Sequence, residues 1–146
     1  KPITYLILIG NFRRRIFRSA KDFEKFLAIL SARRASGNNR IFHYCLLPNQ
    51  IHLILDGPLE TFYRDILKEY TEHFKKSWHT TTRIFERYIP SVKVAPEQLL
   101  SYGVMVENLP FKYGMAKRGS PYPYSSLKEY LNFIQTAAAP PILTPK

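Results

Sequence analysis

Four guanidinium groups fall within six residues, at Arg13, Arg14, Arg15 and Arg18. Charges this dense repel one another unless a polyanion stands against them, so they point to phosphate contacts. Lys75 and Lys76, followed by Trp78, form a second basic group, and Arg83 and Arg87 stand among aromatic and β-branched neighbours. Cations interleaved with aromatics can hold a nucleic-acid backbone while stacking unpaired bases. Gln50 and His52 are separated by one apolar residue, so on a strand both project from the same face. A tight hairpin would pair Leu47 with Gln50 and Cys45 with His52, bringing Cys45 and His43 to that face as well. A free Cys in a strand is more often plain core than a ligand.

The elements that must position these groups can be read from periodicity. Residues 3–9 are a continuous apolar, largely β-branched run ended by Gly10-Asn11, the pattern of a buried central strand. Ser19 and Asp22 have the spacing of a capping box, followed by Phe23, Phe26, Leu27 and Leu30 on one helical stripe. Residues 41–47 and 51–55 are short apolar strands separated by Pro48-Asn49-Gln50, a hairpin length. A second helix begins near Thr61 and aligns Phe62, Ile66, Tyr70 and Phe74. Residues 84–94 read as extended. Pro96 opens a third helix over roughly 96–108, which Pro110 closes. The order strand, helix, hairpin, helix, strand, helix predicts an α+β fold, a ferredoxin-like or RRM-like antiparallel sheet with helices packed on one face.

The chain has 146 residues, enough for one core, so residues 1–136 are read as a single domain. Residues 137–146, with three prolines, are read as a loosely held tail. Lys and Arg number 22 against 11 Asp and Glu, a formal charge of +11 that favours a nucleic-acid partner without choosing DNA over RNA. The single Cys45 leaves no internal disulfide framework. No apolar run approaches the roughly 20 residues of a membrane span, and the N-terminal residues are in the wrong order for a secretory signal. A cytoplasmic location with no membrane partner is therefore expected.

Three stretches together resemble the REP-associated tyrosine transposases and the related IS200-type enzymes. They are GNFRRRIFRSAKDFEKFL, FHYCLLPNQIHLIL, and the run from RIFERY through VENLPFKYGMAKRGSPYPYSSLKEYL. They are similar to that family's basic turn and acidic-aromatic helix, its His-x-His hairpin, and its Asn-Pro and Tyr-Pro-x-Ser-Ser segments. Their succession covers nearly the whole chain in the right order. The resemblance implies DNA binding, at single-stranded or hairpin sites, and transposition by a helix-borne Tyr with a metal held between two His. It leaves both a monomer and a homodimer open.

Two positions depart from the family pattern. The first metal His is replaced by Gln50, whose carbonyl oxygen is a donor suited to Mg²⁺ or Mn²⁺, so the implied metal set is Gln50, His52 and Asn108. Aligning Pro110 places Met105 at the nucleophile position and Leu109 at the Asn; aligning Asn108 instead places Val104 there. Neither register supplies a phenol, and Tyr102, one turn earlier, is the nearest candidate. The first reading is thus a transposase relative that binds a DNA hairpin with cleavage lost or impaired. The second is an active metal-dependent single-strand endonuclease using Tyr102. The third is a ferredoxin-like RNA-binding module.

Overall fold

The computed structural model describes residues 1–117 and 122–131. The expected tail, residues 137–146, lies outside the described residues. Strands β1 (Ile3–Ile9), β2 (Ile41–Leu47), β3 (Gln50–Asp56) and β4 (Ser91–Val94) form one antiparallel sheet in the order β2-β3-β1-β4. Helices α1 (Ala20–Ala35) and α2 (Leu59–Trp78) connect β1 to β2 and β3 to β4, which is the ferredoxin-like order expected. α3 (Leu99–Glu107) and the short α4 (Leu109–Lys112) follow β4.

α1 and α2 share one face of the sheet, where Phe26, Ile29, Phe62, Ile66, Tyr70 and Phe74 pack on Leu6, Leu8, Leu46, Ile51, Leu53 and Leu55. The expected α+β sheet with helices packed on one face is the arrangement of these two helices. α3 and α4 cover the opposite face, through Val106 and Leu109 on Cys45, Leu47 and Ile54. The physical reason lies in the hairpin, whose strands carry apolar side chains on both faces and so need cover on both. β1 is central as expected, but its alternate residues Ile3, Tyr5, Ile7 and Ile9 are only half-buried.

The hairpin turns over Pro48-Asn49, and β3 begins one residue earlier than read, because Gln50 pairs with Leu47. The Arg-rich segment after β1 is stitched to that turn. Gly10 N–H donates to the Asn49 carbonyl at 2.9 Å, and the N–H groups of Ile16 and Phe17 donate to the Pro48 carbonyl at 2.7 and 3.1 Å. Gly10 is required at this crossing, since a Cβ there would collide with the Arg14 carbonyl and lie 3.1 Å from Ile16 Cγ2.

Ser19 is the residue before α1, but its side chain makes no cap bond. Asp22 reaches one residue further back, accepting the Arg18 N–H at 2.8 Å, and is buried with His73 Nε2 and Trp78 Nε1, both at 2.9 Å. A buried carboxylate with three donors ties the start of α1 to the end of α2. α2 stops at His79, whose left-handed φ of 50° breaks the helix. Residues 122–126 cover the outer edge of β2: Leu46 N–H donates to the Tyr124 carbonyl and Ser126 N–H to the Tyr44 carbonyl, each at 2.9 Å.

Candidate nucleic-acid interface

Strand alternation and the two-residue turn bring Gln50 and His52 onto the face that α3 covers, as their spacing requires. The two groups converge: His52 Nε2 and Gln50 Oε1 are 2.9 Å apart, and His52 Nδ1 is 2.7 Å from the hydroxyl of Tyr5. Tyr5 comes from β1, diagonally across from His52. The amide oxygen can only accept, so Nε2 carries the proton, and Nδ1 accepts from the Tyr5 hydroxyl. Burial pushes the His52 pKa down to about 4. The ring is therefore neutral and fully satisfied at neutral pH. Burial also pushes Tyr5 up to about 12, with the nearby Tyr113, Cys45 and Tyr102 adding to the effect.

Tyr102 on α3 faces this relay without joining it. Its ring centroid is 5.8 Å from that of Tyr5, and it is half-buried. Met105 and Val104, which stand in the two alternative nucleophile registers, are exposed. Asn108 is not brought to the pair. It is exposed at the α3–α4 junction, and its side chain makes no hydrogen bond to Gln50 or His52. Its backbone instead closes α3 and opens α4, its N–H donating to the Val104 carbonyl and its carbonyl accepting from Phe111 and Lys112. At about 100° per residue Asn108 stands about 160° around α3 from the buried Val106, between the exposed Val104 and Met105 and away from the sheet.

The donor chemistry does not suit a divalent ion. One amide oxygen and one imidazole already bonded to it are two neutral donors, whereas Mg²⁺ and Mn²⁺ favour carboxylates and other oxygens. Cys45 is buried, and burial foremost pushes its thiol up to about 12, so it supplies no thiolate. Glu107, the nearest carboxylate on α3, is committed elsewhere, accepting from Ser126 Oγ at 2.6 Å and pairing with His43 Nδ1 at 2.7 Å. Among the described residues no group of three His, Cys, Asp or Glu side chains converges.

The Arg13–Arg18 cluster is divided by the fold. Arg13 and Arg15 line a cleft of about 420 Å³ together with Gln50, Asn49, Tyr113 and Met115, so these two cations border the conjectured metal pair. Arg14 lies over the Phe12 ring, 5.4 Å from its centroid. Arg18 points away, over Phe74 and Trp78 at 5.1 and 5.4 Å. Lys75, Arg83 and Arg87 line a separate groove between α2 and residues 81–89, and Lys76 is exposed beside it. Trp78 is half-buried and held by Asp22, so it is not a free stacking surface. Tyr5, Tyr113 and Met115 were not singled out from sequence. Tyr5 sits within an apolar run, and its partnership with His52 depends on the β1–β3 register, which no local pattern encodes.

No helix among the described residues is long and apolar enough to cross a membrane. No protein-family model and no curated protein sequence matches the chain. Solved structures do. A candidate transposase from Deinococcus radiodurans superimposes with a TM-score of 0.52 at 12% identity, over 74% of this chain and 91% of that one. A REP-associated tyrosine transposase bound to a REP hairpin superimposes with a TM-score of 0.71 at 14% identity, over 90% of this chain and 79% of that one. With a ferredoxin-like sheet, an extra helix over its second face and the Gln50–His52 pair beneath that helix, the chain has the fold of a REP-associated tyrosine transposase.

Proposed function

We propose that the protein binds DNA hairpins next to single-stranded sequence and does not cut them by a metal-dependent tyrosine reaction. The observation that carries this reading is the cleft in which Arg13 and Arg15 flank Gln50, on the fold of a structure that holds a REP hairpin. Two guanidinium groups at a strand end give phosphate contacts, and the neighbouring Tyr113 gives an aromatic surface. The divalent ion that the resemblance implies has no part in this reading, because the Gln50–His52 donors satisfy each other. Asn108, exposed and unattached to that pair, is assigned no role in it. The cleft is built from one chain, so the reading requires no second copy. A role on cellular DNA accords with the expected cytoplasmic location.

One observation favours the alternative of an active enzyme: the Tyr102 ring stands beside Tyr5, on the correct face. In-line attack tolerates little misplacement, and an error of about 1 Å costs about 10²-fold. The two readings separate in one experiment. The protein is incubated with Mn²⁺ and a labelled DNA hairpin carrying a single-stranded flank, and both affinity and denaturation-resistant adduct are measured. Tight binding with no adduct, unchanged in Tyr102→Phe, is expected. An adduct lost in Tyr102→Phe would establish cleavage. Preference for the matching RNA, dependent on its 2′-hydroxyls, would replace DNA with RNA as the partner.

A further inference from the structure

Phe12 and Tyr88 leave 76% and 75% of their surfaces in solvent, although both are large aromatics. Single exposed hydrophobics are ordinary, but these two line the same notch, of about 410 Å³, together with Ile9, Arg13 and Glu86. The backbone holds Phe12 out at a cost. Phe12 and Arg13 are consecutive residues with φ of 55° and 58°, the left-handed region that bulky side chains disfavour. The strained turn is pinned from both sides. Phe12 N–H donates to Glu86 Oε2 at 2.7 Å, Asn11 N–H to the Ile84 carbonyl at 2.7 Å, and Glu86 N–H to the Ile9 carbonyl at 2.8 Å. Strain of this kind persists where the surroundings fix it, and here it keeps an apolar ring out of the core.

Charge identifies the occupant. Arg14 lies 5.4 Å from the centre of the Phe12 ring, and Arg13 lines both this notch and the cleft that holds Gln50. A notch with two aromatic rings and guanidinium groups at its rim matches a nucleobase whose phosphates run past the cations. Glu86, a carboxylate that lines the notch and accepts from Phe12 N–H, repels a phosphate from the notch itself. We infer that Phe12 and Tyr88 form a stacking site for one unpaired base of the single-stranded flank, joined through Arg13 to the cleft beside Gln50. This rests on the DNA-binding reading above and adds to it the place where unpaired sequence is held.

The test uses the full chain and two oligonucleotides: a blunt DNA hairpin, and the same hairpin with a single-stranded extension carrying 2-aminopurine at successive positions. The extension is expected to tighten binding, and Phe12→Ala or Tyr88→Ala to remove roughly tenfold of that gain while leaving blunt-hairpin affinity unchanged. 2-Aminopurine emission should be quenched at one position by the natural protein and by Phe12→Tyr, and not by Phe12→Ala. Because both rings are exposed, urea midpoints should stay within a small shift of the natural protein. If the extension adds nothing, or both alanine variants bind the extended hairpin as tightly as the natural protein, the stacking site is overturned while hairpin binding stands. If the natural protein binds neither oligonucleotide, the DNA reading falls and takes this site with it.

Discussion

Replacing Gly103 by Ala sets two effects of opposite sign against each other. Gly103 lies within α3, where Ala is favoured over Gly by about 1 kcal/mol of helix propensity. Propensity alone therefore predicts a more stable protein. The packing predicts the reverse, because a Cβ at 103 would lie 2.5 Å from Cε1 and 2.7 Å from Cδ2 of His43 on β2. That ring has little room to retreat. Its Nδ1 is held 2.7 Å from Glu107 Oε2, both side chains are 12% exposed, and the ring lies 5.2 Å from that of Tyr130. Either α3 lifts from the sheet, at about 1–3 kcal/mol for overpacking, or His43 swings away and forfeits a charge-assisted hydrogen bond of about 1.5–3 kcal/mol. Set against a propensity gain of about 1 kcal/mol, the middle of either range leaves a net loss of about 1 kcal/mol, and the upper end about 2 kcal/mol.

Urea denaturation followed by circular dichroism measures that loss directly, and a fall of several degrees in Tm should accompany it. On a His43→Ala background the obstacle is gone, and Gly103→Ala should become neutral or stabilising by up to about 1 kcal/mol. A single Gly103→Ala variant as stable as the natural protein, or more so, would refute the claim that α3 is seated on β2 through this contact. It would also remove the reason for placing Tyr102 beside Tyr5.

Further tests address the site and its support. His52 has a folded pKa of about 4 against an ordinary 6.5, so unfolding takes up a proton between those values. Its contribution is complete above pH 6.5, declines as pH falls toward 4, and amounts to about 3 kcal/mol; His52→Gln should flatten that part of a pH–stability profile. Arg13→Ala and Arg15→Ala should each weaken hairpin binding across sequences and reduce the salt slope of log K by about 0.9, read by anisotropy at several ionic strengths; an unchanged slope would remove them from the interface. Asp22→Ala strands the Arg18 N–H and the Trp78 indole, and should cost about 3 kcal/mol with a shift in Trp78 fluorescence. Asp22→Asn, which keeps one acceptor oxygen, should cost less.

The cationic surface shows how composition and placement diverge. Arg13, Arg14, Arg15 and Arg18 are one cluster along the chain, where mutual repulsion predicts a shared polyanion. In the fold, the crossing at Gly10 and the bonds to Pro48 send Arg13 and Arg15 toward Gln50, while Arg18 settles on α2. The groove of Lys75, Arg83 and Arg87 is a second, separate surface. Linear proximity measures charge density along the chain, whereas the direction of each side chain follows from backbone dihedrals at that residue, left-handed at Phe12 and Arg13.

Local chemistry was enough for the hairpin, for the stripe of Phe62, Ile66, Tyr70 and Phe74, and for the shared face of Gln50 and His52. Each depends on residues within one or two turns of chain, where pleat and helical pitch leave no freedom. The second face of the sheet was not legible in this way, nor was the seat of α3 on it, the Tyr5–His52 bond, the strip 122–126 along β2, or the outward turn of Asn108. These depend on strand order and register, set by contacts between residues far apart in the chain, which many sequences with the same local periodicity could satisfy differently. Chemistry carried by neighbours is written along the chain. Chemistry that needs Tyr5 to find His52 exists only once the sheet has closed.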